Sequence, residues 1–96
     1  MMVLITYDVN TEAAAGRGRL RRIAKQCVNY GQRVQNSVFE CMLDPVQYRT
    51  LEAKLRSIMD EERDSLRFYE LGAHYEKKIR HFGAKVTYLP EAPLVL

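Results

Sequence analysis

Ninety-six residues at 11.2 kDa fit one compact domain, 1–96, and leave no room for a second. A hydrophobic share of 47% with 28% charged residues excludes global disorder and a coiled rod. Charged or polar residues interrupt every apolar stretch well short of the about 20 residues that a membrane crossing needs, so no membrane partner is expected.

The net charge of +3 hides an asymmetry: residues 16 to 33 hold Arg17, Arg19, Arg21, Arg22, Lys25 and Arg33 and no acid, against nine bases and twelve acids elsewhere. Ten of the fifteen bases are arginine, whose planar fork pairs with phosphate better than an ammonium does. Two readings of this run stand at this point, a solvated helix face and a polyanion partner.

In chain order, Val3-Leu4-Ile5-Thr6-Tyr7-Asp8-Val9 is β-branched and apolar, closed by Asn10, and reads as a central strand with Asp8 at its carboxyl end. It holds no basic residue and meets an aspartate early, unlike a secretory leader, so a cytoplasmic protein is expected. Asn10 to Gly18 mixes small residues with two glycines and is expected to be a loop, with at most a helical turn at Ala13-Ala14-Ala15. From Leu20 the apolar positions Leu20, Ile23, Ala24, Cys27 and Val28 form an amphipathic stripe that ends at Tyr30-Gly31. Arg19, Arg21, Arg22 and Lys25 fall off that stripe, which predicts a basic surface facing water.

Arg33 to Leu43 has strand composition whose alternation slips near Gln35-Asn36-Ser37, which predicts a bulge or a split into two strands. Asp44-Pro45-Val46-Gln47 gives an N-cap acid, proline at the first helical position and glutamine three after the cap, opening a helix with Tyr48, Leu51, Leu55, Ile58 and Met59 inward. After the acidic connection 60–64, Ser65 to Leu71 reads as a strand; the stretch to His81 is poorly patterned and carries a second basic cluster, Lys77, Lys78 and Arg80. A last strand, 84–89, stops at Pro90, and the apolar tail 92–96 is expected to pair with the sheet edge of a partner chain, which favours a homodimer. Counting the middle segment as two strands, the order is that of a ferredoxin-like βαββαβ α+β sandwich, with two helices on one face of a mainly antiparallel sheet.

Cys27 and Cys41 lie in apolar patterns without CxxC spacing and read as buried free thiols. Asp8 has two readings: a strand-end aspartate that caps its own turn, or a ligand to a hard divalent cation such as Mg²⁺, with Mn²⁺ as an alternative. One carboxylate per chain is too few for a firm site, but two copies of Asp8 across a dimer axis could share an ion. Such an ion with nearby arginines suits phosphodiester cleavage. His74 and His81, seven apart, read as solvent-facing rather than as a metal-free catalytic pair. Of the aromatic residues, Phe39 beside the pattern slip is the candidate for stacking on a base.

Tyr7-Asp8-Val9 ending the first strand, Arg19-Leu20-Arg21-Arg22-Ile23-Ala24-Lys25, and the block from Tyr30 through Arg33-Val34-Gln35-Asn36-Ser37-Val38-Phe39 to Cys41 closely resemble the CRISPR-associated protein 2 family over nearly the whole chain. The last block resembles the branch that accompanies subtype I-C systems. The resemblance implies a ferredoxin-like homodimer in which Asp8 of each chain faces its mate and helps bind Mg²⁺. It also implies a metal-dependent endonuclease acting on RNA or double-stranded DNA in spacer acquisition and antiviral defence, or a non-catalytic adaptor bridging CRISPR integrase dimers and protospacer DNA. By position, Tyr7, Asp8, Arg33, Ser37 and Phe39 match the family's motif. The helical arginines correspond less directly, which leaves open whether Arg17, Arg19, Arg21 or Arg22 contacts phosphate. Asn36 stands where relatives often carry an aromatic residue.

Overall fold

The computed structural model describes residues 1–83. The expected final strand 84–89 and the tail 92–96 lie outside the described residues. The elements run β1 (Met2–Asp8), α1 (Ala14–Val28), β2 (Gly31–Gln35), β3 (Val38–Met42), α2 (Pro45–Ile58), β4 (Ser65–Gly72) and a short 3₁₀ turn (Tyr75–Lys78). This is the βαββαβ order of an α+β sandwich. The strands form one antiparallel sheet in the order β2-β3-β1-β4, so each helical connection skips one strand. Right-handed crossovers of that kind bring both helices onto the same face.

Strand alternation sorts β1. Val3, Ile5 and Tyr7 turn under the helices and are buried, while Leu4, Thr6 and Asp8 turn to the opposite face. The core joins these residues to Ile23 and Cys27 of α1, Phe39 and Cys41 of β3, Leu43, and Leu51 and Leu55 of α2. The expected capping box is formed: the Gln47 N–H donates to Asp44 Oδ1 at 2.7 Å and the Asp44 N–H donates to Gln47 Oε1 at 3.0 Å. The expected slip is a register shift between Arg33 and Gln35, with Asn36-Ser37 as the turn joining β2 to β3. Gly31 starts β2 rather than closing the helix. A Cβ there would overlap the Glu40 carbonyl and the Cys41 sulfur, so the close approach of β2 to β3 requires glycine.

Two expectations for the first helix are corrected. It begins at Ala14, inside the segment read as a loop. The reason is Gly16, which is buried where a Cβ would overlap the Asn10 carbonyl oxygen, so the glycine lets the first turn pack on the chain leaving β1. The buried stripe is accordingly Gly16-Ile23-Cys27, rotated away from Val28, which is 57% exposed, and toward Arg19. Arg19 therefore does not join the solvent-facing basic surface; its side chain is 13% exposed.

Cys27 and Cys41 are free and fully buried, as expected, and burial pushes both thiols up to about 12. At pH 8 both are then held almost wholly as thiols. A disulfide-exchange reagent added to native protein at that pH is expected to label neither cysteine over an hour, and both at once in denaturant. Rapid labelling of the native chain would contradict this packing.

Candidate nucleic-acid interface

The sequence candidates divide between the two faces of the sheet. Tyr7, Arg33 and Phe39 come together on the helical side. The Tyr7 and Phe39 rings stack with centroids 6.3 Å apart, and the Arg33 guanidinium lies 5.1 Å from the Phe39 centroid. Phe39 is 0% exposed, so the expectation that it stacks on a base is corrected: directly opposite Ile5 in the β1–β3 ladder, its ring is a core element. The Tyr7 hydroxyl is buried and has no hydrogen-bond partner among the described residues. Burial raises its pKa, the neighbouring Cys27 adds to the rise, and Arg33 opposes it. Ser37 contributes its backbone, whose carbonyl accepts from the Tyr7 N–H at 3.1 Å and ties the β2–β3 turn to β1.

Asp8 is apart from that cluster. It is the exposed last residue of β1, opposite Ser65 of β4, on the face away from the helices. No hydrogen bond or ion pair engages its carboxylate among the described residues, and no group of three metal-ligating side chains is present among them. A hard carboxylate without an intramolecular partner fits a divalent cation as one protein ligand, which for Mg²⁺ leaves further positions to a second carboxylate, water or phosphate oxygens. The turn-capping alternative for Asp8 has no hydrogen bond to support it. The side chain that does cap this turn is Asn10, whose Oδ1 accepts from the Glu12 N–H at 3.0 Å.

The basic run divides as well. Arg17, Arg21, Arg22 and Lys25 are exposed along α1, which begins six residues after the last residue of β1. Arg17 donates to the Thr11 carbonyl at 3.1 Å, which steadies it at the surface. Arg33 is exposed, with its guanidinium over the Phe39 ring. Arg19 instead forms a two-point ion pair with Asp64, Nε to Oδ2 at 2.7 Å and Nη2 to Oδ1 at 3.2 Å, where the Asp64 side chain is 1% exposed. That pairing holds the Asp64 carboxyl down at about 2. Both histidines are exposed, and in the second basic cluster Lys78 donates to the Leu71 carbonyl at 2.7 Å while Arg80 lies over Phe82.

Sequence reading missed two buried acids. Asp64 closes an acidic run and gives no sign that it turns inward. Glu40 is the polar member of an apolar strand; it is 5% exposed, one carboxyl oxygen has no partner among the described residues, and burial raises its pKa. In the alternation of β3 it was the one residue that could have been singled out.

Residues 1–79 match the family model described as CRISPR associated protein Cas2. The chain belongs to the Cas2 family. It is 58% identical to the CRISPR-associated endoribonuclease Cas2 of Nitratidesulfovibrio vulgaris, over all of this chain and 94% of that protein. It is 56% identical to the CRISPR-associated endonuclease Cas2 of Halalkalibacterium halodurans, over 99% of each. Among solved structures, Cas2 of Streptococcus pyogenes, crystallised at pH 6.5, superposes with a TM-score of 0.78 at 55% identity, covering 86% of this chain and 100% of that one. A hypothetical protein of Thermus thermophilus superposes at 0.72 with 31% identity, over 94% and 96% of the two chains. Among the described residues no helix is long and apolar enough to cross a membrane.

Proposed function

We propose that the chain is a metal-dependent endonuclease and nucleic-acid-binding homodimer serving CRISPR spacer acquisition and antiviral defence, in the branch that accompanies subtype I-C systems. The observation that carries this reading is the exposed carboxylate of Asp8 at the end of β1, without a partner among the described residues, together with the exposed arginines of α1 from Arg17 onward. The curated relatives named endoribonuclease and endonuclease support phosphodiester cleavage as the activity. The sheet face that carries Asp8 mixes Leu4, Val38, Met42 and Tyr69 with Thr6, Glu40 and Arg67, and its apolar members favour a partner sheet laid against that face. In such a dimer the two Asp8 side chains meet near the symmetry axis.

Asp8 from each chain would then hold one Mg²⁺, which when bound supplies an activated water and neutralises charge on the phosphoryl group. The protein's own part is electrostatic and positional. Asp8 fixes where that charge sits, while Arg17, Arg21, Arg22 and Arg33 offer guanidinium groups to flanking phosphates. Arg19, bound to Asp64, is outside this set. Contacts to phosphate alone do not choose between RNA and DNA, so both substrate classes belong in the assay.

The test has two arms. The purified protein is expected to cleave labelled single-stranded RNA or duplex DNA with Mg²⁺ and to stop when a chelator is added; undiminished cleavage in chelator would overturn metal dependence. Binding without cleavage, read by salt titration, should give a log–log slope that falls in magnitude by about 0.9 for each phosphate-contacting arginine removed in Arg17→Ala/Arg21→Ala/Arg22→Ala. An unchanged slope would remove α1 from the interface.

That no group of three metal-ligating side chains stands among the described residues favours one second reading, a non-catalytic adaptor between integrase dimers and protospacer DNA. Under that reading Asp8→Asn leaves spacer acquisition in cells intact, while the triple arginine variant prevents it.

A further inference from the structure

Asp64 is the most heavily engaged carboxylate among the described residues, and phosphodiester chemistry makes no use of it. Its Oδ1 accepts from the Asn10 N–H at 3.0 Å and from Arg19 Nη2 at 3.2 Å; its Oδ2 accepts from Arg19 Nε at 2.7 Å and from the Asp60 N–H at 2.9 Å. Each oxygen thus holds two donors, and the side chain is 1% exposed. The donors come from three places: the chain leaving β1, the middle of α1, and the connection after α2.

The location gives this clasp its meaning. Asp8 pairs with Ser65, the residue after Asp64, and Asn10 lies two residues beyond Asp8. The β1–β4 ladder ends at the Asp8–Ser65 pair, so ladder hydrogen bonds do not hold the chain from Val9 onward. The Asn10 N–H on Asp64 takes over that task one step later. The Asn10 carbonyl lies against Gly16, where any side chain would overlap it. A buried charge pair with every lone pair used fixes one arrangement of the elements that meet there, because each alternative strands a donor or a charge.

We infer that Arg19 and Asp64 are positioning residues for Asp8: the clasp fixes the backbone at the end of β1 and so sets the direction in which the Asp8 carboxylate projects toward the shared cation site. This rests on the proposed metal role of Asp8. It also assigns Arg19, the one inward member of the basic run, a task other than phosphate contact.

The test compares wild type with Asp64→Asn and Arg19→Lys. In Asp64→Asn one acceptor oxygen becomes an NH₂ that faces two donors, so half of the clasp is lost with almost no change in volume. Arg19→Lys keeps the charge but gives up the two-point fork. Backbone ¹⁵N relaxation is measured first, without metal. Order parameters at Asp8, Val9 and Asn10 are expected to fall from about 0.85 toward about 0.6 in Asp64→Asn, with a smaller fall in Arg19→Lys and no change in the rest of β1. Mg²⁺ is then titrated against the Asp8 amide resonance, and half-saturation is expected to rise at least about fivefold in Asp64→Asn, a shift that corresponds to roughly 1 kcal/mol.

A folded Asp64→Asn protein with unchanged order parameters and unchanged half-saturation would overturn the inference. If that variant does not fold, Arg19→Lys decides by the same two readings, with faster hydrogen exchange at the Asn10 amide expected and unchanged exchange contradictory. A wild-type Asp8 resonance that ignores Mg²⁺ refutes the metal role itself, and the metal-free order parameters then decide the positioning role separately.

Discussion

Asp8→Asn is expected to lower metal-stimulated cleavage by about 10²-fold or more, the usual cost of removing a group that stabilises developing charge, while the protein stays folded. The two halves of that expectation have separate grounds. Asp8 is exposed and no intramolecular hydrogen bond or ion pair among the described residues depends on its charge, so an isosteric amide disturbs little of the fold. Its charge is the part that a hard cation needs, and an amide oxygen supplies only a weak substitute. Circular dichroism and a thermal melt check the fold; cleavage rates at matched Mg²⁺ check the chemistry. Equal rates for variant and wild type would remove Asp8 from the reaction. A collapsed melt would show instead that the residue is structural, and the exposed placement would be wrong.

Phe39→Ala is expected to destabilise the domain by about 3–5 kcal/mol, a large part of the stability of a chain this size. The ring is fully buried, stacked on Tyr7 and covered by the Arg33 guanidinium. Its loss leaves a cavity beneath a charge and takes away the surface on which Arg33 lies. Phe39→Leu keeps most of the volume, so it is expected to cost much less and to leave nucleic-acid affinity within about twofold. This pair separates the core role from base stacking. A stacking residue exchanged for leucine would lose roughly 1–3 kcal/mol of binding per base with little change in stability, the reverse pattern. Denaturant titration beside a binding isotherm, both at one salt concentration, reads the difference.

The strand β1, the capping box at Asp44 and the slip at Gln35 were legible because each is a short-range pattern with one structural solution. Counting the segment around that slip as two strands gave the βαββαβ order of the sheet. The start of α1 was not legible, since Gly16 and Gly18 argue against helix on propensity and only the contact of Gly16 with Asn10 reverses that. Burying Gly16 rather than Val28 also turned Arg19 inward, an outcome that depends on where Asp64 sits more than forty residues later. Long-range electrostatic pairing of this kind leaves no periodic trace. For the site, sequence singled out Asp8, Arg17, Arg19, Arg21, Arg22 and Arg33, all of which but Arg19 are exposed. It grouped Tyr7 and Phe39 with Asp8 because they are close in the motif, whereas alternation sends Tyr7 to one face and Asp8 to the other. Neighbours in a strand sequence are opposites in space.

The central claim is that two copies of Asp8 share one divalent ion. The most direct measurement is anomalous diffraction from crystals of the protein soaked with Mn²⁺, collected with and without a bound oligonucleotide. The account predicts a single anomalous peak on the dimer axis, within coordination distance of both Asp8 carboxylates and missing from Asp8→Asn crystals. Asp8 side chains directed away from each other with no peak between them, in both crystals, would contradict it.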